Sequence, residues 1–217
     1  SYIFLGDQPA FECTISEFTM QNIPFYLILG IFCAACSVYF TRMTLWLEDK
    51  IRSIRKPYMR WAVSAFCLGL LIFLFPPLYG EGYDDLHVLL NGGMIDFEGQ
   101  TVLAFFMNSE WSIPVFFLMI LILKVFSMSF TNAGGGVGGT FAPSLFVGAF
   151  VGAALALICN ACFDWHISVV SFTLVGMAGV MAGVMKAPLT SIFLIAELSN
   201  GYGLFIPLMI VACISFA

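Results

Sequence analysis

Residues 132–146 read NAGGGVGGTFAPSLF, and the fold turns on how this stretch is understood. Five of the six residues 134–139 are glycine, after which the chain passes through Thr140 and Phe141 into a long apolar run. Each glycine costs a helix about 1 kcal/mol relative to alanine. Residues 134–139 are therefore expected as a non-helical entry to a helix running from about Ala142 to Phe163. The residues just before them, VFFLMILILKVFSMSF, read as an apolar helix. That context removes a dinucleotide-binding reading of Gly134, Gly136 and Gly139, which requires a strand before the glycines. A phosphate-binding loop requires a lysine after the last glycine, and Thr140 stands there instead.

A helix entered in this way presents a chemical feature. Its first turn carries N–H groups with no intrahelical partner and about half a positive charge. Inside a membrane, irregular backbone is tolerated only where protein buries it or a water-filled cavity meets it. A permeating anion satisfies such donors without a fixed cation that would hold it too tightly. The natural donors are the N–H groups of Thr140 and Phe141, because Ala142 and Pro143 complete the turn and Pro143 has no N–H. Gly138 and Gly139 are expected to bind the anion with them, and Gly136, Ala142 and Pro143 to shape the site. From Trp111 to Phe163 there is no Asp or Glu, and Lys124 is the one charged side chain. Cation pathways place carboxylates in the membrane, so this segment favours an anion.

The composition supports a membrane setting. The chain is 61% hydrophobic and 10% charged, with a mean hydropathy of +1.00, whereas soluble domains carry about 25% charged residues. Runs such as FYLILGIFCAACSVYF do not alternate as barrel strands do. An all-α polytopic membrane protein follows, in the plasma membrane or a bacterial inner membrane. With a net charge of −5, no nucleic-acid partner is expected. Spans are expected at about Pro24–Leu47, Tyr58–Leu78, Pro114–Phe130, Ala142–Phe163 and Val169–Val184, followed by a short helix from Pro188 and an apolar end. Residues 1–22 read as a loop or interfacial segment. Segment 48–60 holds Lys50, Arg52, Arg55, Lys56 and Arg60, which places it in the cytoplasm; segment 81–110 has no Lys or Arg and is expected outside. The helix after Pro188 is too short to span, as in transporters whose broken helices frame a site.

Other features receive plainer readings. Cys33/Cys36 and Cys159/Cys162 have the spacing of metal or redox pairs, yet no His joins either at ligand spacing. They are expected as packing residues, with no metal and no cofactor. Gly148/Gly152 and Gly179/Gly183 fit close helix contacts. His87 and His166 sit in loops or helix ends, and Glu81 and Tyr83 in an external turn without chemistry. Tyr202 reads as an interfacial aromatic, Lys186 as a snorkelling anchor. Glu197, one turn before a helix end and expected to be partly buried, is read as a structural or interfacial carboxylate in preference to a proton-path acid. No HExxH or GxSxG is present, which disfavours an intramembrane enzyme. A secondary transporter of another substrate, using the same broken-helix device, is the alternative.

GGTFAPSL resembles the GxFxP motif of the CLC family of chloride channels and chloride/proton antiporters, with Gly139, Phe141 and Pro143 at the fixed positions. GMAGVMAGVMKAPLTSIFLIAELSNGY resembles the family's paired late helices, and LYGEGYD its glycine-bearing turn. The resemblance implies a fold of two inverted-topology halves with broken and tilted helices, of which residues 1–217 are mainly the second. It implies chloride as ligand at the N–H groups of Thr140 and Phe141, protons as a possible second substrate, and a homodimer using residues near the start and Pro188–Ala217. The family's serine loop, gating and proton-transfer glutamates and coordinating tyrosine are expected outside Ser1–Ala217, both of whose ends read as cut. The insertion around Gly92–Gly99 is longer than the family pattern.

Overall fold

The computed structural model describes residues 22–79, 112–163, 167–199 and 202–217. Seven α-helices follow one another: α1 Ile23–Arg52, α2 Pro57–Leu74, α3 Ser112–Gly134, α4 Phe141–Phe163, α5 Val169–Met185, α6 Pro188–Leu198 and α7 Phe205–Phe216. Single 3-10 turns lie at Pro76–Leu78 and Tyr202–Leu204. The described residues contain no strand, in line with the all-α expectation. Helices α1 to α4 each hold a stretch long and apolar enough to cross a membrane, whereas α5 to α7 are shorter apolar helices. Proline in the first turn starts α1, α2 and α6, where its missing N–H removes no helical bond. Residues 1–21, 80–111, 164–166 and 200–201, with Glu81, Tyr83, His87, the 92–99 insertion and His166, lie outside the described residues, as does the Tyr202 side chain.

The basic segment 48–60 is more helical than the sequence implied. Helix α1 runs on to Arg52 and α2 starts at Pro57, leaving Ser53–Lys56 as the turn. Lys50 and Arg52 occupy the last turn of α1, where cations meet the negative end of the helix. Glu48 also pairs with Arg52 at 3.2 Å, one turn apart. These contacts favour continued helix over loop.

Helix α5 is the centre of the fold, buried at every residue from Ser171 to Gly183. Helices α1, α4, α6 and α7 all pack on it. In a bilayer, apolar side chains gain little by leaving lipid, so helices associate through close backbone approach and van der Waals contact. The α4–α5 contact is built that way. A Cβ on Gly152 would lie 2.0 Å from Phe172 O, and one on Gly148 2.5 Å from Gly176 O. Gly179 receives Cys33 of α1 and Val211 of α7, and Gly183 receives Ser37 and Ser215. Both glycine pairs are thus packing grooves, as their spacing implied. Cys33 is wholly buried here and its thiol donates to Gly176 O at 3.8 Å, a packing role. The turn between α4 and α5 is pinned by Asn160, whose side chain accepts from Ile167 N at 2.7 Å and donates to Ile167 O at 2.9 Å. Helix α2 is peripheral: Ser64 is its one buried residue, set against Gly134.

Candidate functional site

The glycine stretch does two jobs in sequence. Gly134 is still helical, and Gly135 takes φ +100°, a conformation closed to most side chains. The Gly135 N–H donates to Asn132 O at 3.2 Å and the Gly136 N–H to Thr131 O at 2.9 Å. That pair of bonds is a Schellman stop, which satisfies carbonyls at the end of α3. The expectation that 134–139 serves only as an entry to the next helix is therefore corrected. Its first half terminates α3, because a left-handed residue there closes the last turn, and Gly136 contributes to this stop. A Cβ on Gly136 would meet Thr131 O at 2.9 Å.

Residues 136–139 carry no regular structure, and α4 begins at Phe141, one residue before the expected start. Thr140 therefore holds the N-cap position, and Phe141, Ala142 and Pro143 fill the first three helical positions. The Thr140 carbonyl accepts the first intrahelical bond, from Ser144 N at 3.1 Å. Among the described residues, the N–H groups of Thr140, Phe141 and Ala142 donate to nothing. Thr140 is half-buried and Phe141 exposed. The donors expected from the sequence are thus unpaired among the described residues.

Beside this turn lies a cleft of about 570 Å³. Gly138, Gly139, Phe141, Ala142 and Pro143 form one wall, and Ser127, Thr131, Asn132 and Lys124 of α3 another. Gly136 and Thr140 fall outside this lining. Gly138 lies close to Asn132, since a Cβ there would lie 2.7 Å from Asn132 Oδ1 and displace that amide. That oxygen is itself buried without a hydrogen bond among the described residues. Lys124 is only 3% exposed. Its Nζ donates to Leu78 O at 3.3 Å and sits 4.4 Å from the centroid of the Phe146 ring. No acid lines the cleft among the described residues, and Lys124 is its one charged group. A buried ammonium and a helix N-terminus therefore both bias the space toward negative charge.

Sequence reasoning singled out Lys124 as an isolated charge but gave it no place in the site. Asn132 carried no signal, because an amide at a helix end looks like any other cap. Met185 was also missed: the Thr140 hydroxyl donates to its Sδ at 3.2 Å across the gap between α4 and the end of α5. One expectation needs correction. Glu197 is exposed near the end of α6 rather than partly buried, because the helix face carrying Ile195 and Ala196 turns inward instead. Lys186 is exposed, and its Nζ donates to Phe216 O at 3.1 Å.

The family model described as voltage gated chloride channel matches residues 1–217. Chloride channel protein CLC-f of Arabidopsis thaliana is 30% identical over 226 residues, covering 96% of this chain and 27% of that protein. The H(+)/Cl(-) exchange transporter ClcA of Cronobacter sakazakii is 29% identical over 224 residues, covering 98% of this chain and 43% of that one. The chain thus spans well under half the length of these relatives. Among solved structures, a CLC-type fluoride/proton antiporter superposes with a TM-score of 0.73 at 16% identity, over 99% of this chain and 48% of that one. A slow cyanobacterial Cl-/H+ antiporter gives 0.67 at 21% identity, over 99% and 47%. These likenesses show the fold, and the match along the whole chain shows the family: the protein belongs to the voltage gated chloride channels, the CLC family.

Proposed function

We propose that this chain is the part of a CLC transport protein that holds a chloride ion at the N-terminus of α4. The ion accepts hydrogen bonds from the N–H groups of Thr140 and Phe141, within a turn that Gly138, Gly139, Ala142 and Pro143 leave open. The observation that carries this reading is the set of unpaired N–H groups at Thr140, Phe141 and Ala142. The cleft beside them, which no acid lines among the described residues and which has Lys124 in its wall, supports it. Backbone donors of this kind bind an anion without the strong retention a paired arginine would impose, which suits passage rather than storage.

The remaining parts of the proposal follow from the family. Ion movement is coupled to protons, as the names of the ClcA relatives and of the superposed antiporters state for those proteins. The functional unit is a homodimer, with α6 and α7 contributing to its interface. The basic turn at Ser53–Lys56 faces the cytoplasm and segment 81–110 the outside.

Chloride efflux from liposomes holding the full-length protein, with external pH recorded in the same vessel, tests this. Chloride release with matching proton entry is expected. Release without proton movement would make the protein a channel. Movement of fluoride in place of chloride would reassign the substrate. No anion movement in any mode would overturn the reading.

A further inference from the structure

A threonine hydroxyl has one proton to donate, and at Thr140 that proton goes to Met185 Sδ, 3.2 Å away. An N-cap threonine ordinarily turns its oxygen inward to accept the N–H of the second or third helical residue. Here the third is Pro143, which has no N–H, and the second, Ala142, makes no bond to the hydroxyl among the described residues. The hydroxyl reaches across to α5 instead. A thioether is a weak acceptor, so it competes poorly with an anion. The Thr140 N–H and Oγ1 belong to one residue, so an anion on that N–H is a single χ1 rotation from the hydroxyl.

We propose that Thr140 Oγ1 is a third donor to the transported anion, and that Met185 is a positioning residue competing for the same proton. Met185 holds the donor while the site is empty and opposes its turn toward the ion, which sets both affinity and preference among anions. The proposal rests on the anion reading above. Met185 suits the part by its placement. It is the last residue of α5 and is 40% exposed, so its side chain is not locked in the core. Lys186, the next residue, takes φ 54° and donates to Phe216 O, which anchors the backbone from which Met185 reaches Thr140. A hydroxyl donor rewards a small, charge-dense ion more than a diffuse one, so chloride gains more than nitrate.

The test is titration calorimetry of chloride and nitrate on the purified full-length protein, with Met185→Leu, Thr140→Val and the double variant. Met185→Leu removes the competing acceptor and tightens chloride about twofold, the low end for a net hydrogen bond. Thr140→Val weakens chloride about tenfold, the low end for a hydrogen bond to a charge, and lowers the chloride-to-nitrate ratio. In the Thr140→Val background, Met185→Leu has no further effect, whereas Thr140→Ser keeps wild-type affinity. A Met185 that acted only in packing would move both anions alike and act equally in both backgrounds, and either result would overturn the proposal. If Thr140→Val does not fold, the chloride-to-nitrate ratio of Met185→Leu decides alone: a raised ratio supports the proposal and an unchanged ratio sinks it. Phe141→Pro separates the two layers. Wild-type chloride affinity in that variant means the site lies elsewhere and the underlying reading fails. Lost affinity there with a silent Met185→Leu means that only the present inference fails.

Discussion

Gly152→Ala should separate α4 from α5, and its cost follows from the contact itself. The added methyl would sit 2.0 Å from Phe172 O and 2.6 Å from Phe172 C. Ordinary contact begins at 3.4 Å, so the two helices must part locally by about 1.4 Å, the difference between 3.4 and 2.0. Phe172 O is backbone within the buried core helix and has no rotamer by which to move aside. Overpacking of a close-packed core costs about 1–3 kcal/mol, and a backbone obstacle places this variant near 3. Each kcal/mol corresponds to about 2–4 °C in melting temperature at about 150–250 residues and to less in a longer protein, so a fall of a few degrees is expected in the full-length protein. Thermal unfolding of the full-length protein in detergent, followed by tryptophan fluorescence, reads this out. Gly69→Ala is the matched control. It lies in α2 with nothing within 4 Å of an added Cβ, and alanine there gains about 1 kcal/mol of helix propensity. A Gly152→Ala protein that melts with the wild type would refute the close-approach account of the fold.

Gly135→Ala places a side chain at φ +100° and should cost about 1–2 kcal/mol, lowering the melting temperature of the full-length protein by a few degrees at most; an unchanged melt would mean that α3 does not end in the Schellman stop. Lys124→Met replaces the buried ammonium with an apolar chain of similar length. Methionine cannot donate to Leu78 O, and an unsatisfied buried acceptor costs about 1–3 kcal/mol, so the melt should fall modestly while chloride affinity falls severalfold, and an unaltered affinity would remove Lys124 from the site. Lys124→Ala loses the same donor and opens a void as well, and should melt below Lys124→Met.

Much of this was legible in the sequence, for identifiable reasons. Long apolar runs and prolines set the helices, because both signals are local. The break before α4 was legible because a glycine run before a proline-bearing helix start leaves few conformations. Gly148/Gly152 and Gly179/Gly183 were readable as grooves from their spacing alone. What escaped depends on distant residues meeting. Nothing near Met185 in the chain signals that its sulfur faces Thr140, and nothing near Asn132 signals that Gly138 is pressed against its amide. The division of 134–139 into a stop for α3 and an entry to α4 was hidden as well, since a glycine run does not declare which of its members takes positive φ. The extension of α1 through Arg52 escaped because charge marked the segment as loop, whereas at a helix C-terminus the same charge stabilises helix.

The central claim is that the N–H groups of Thr140 and Phe141 hold the transported anion. Bromide, a chloride substitute visible by anomalous scattering, tests it most directly in crystals of the full-length protein. The account predicts a bromide peak within hydrogen-bonding distance of both nitrogens, lost in Phe141→Pro. Bromide bound elsewhere in the membrane domain, with this turn empty in a protein that still transports chloride, would contradict it.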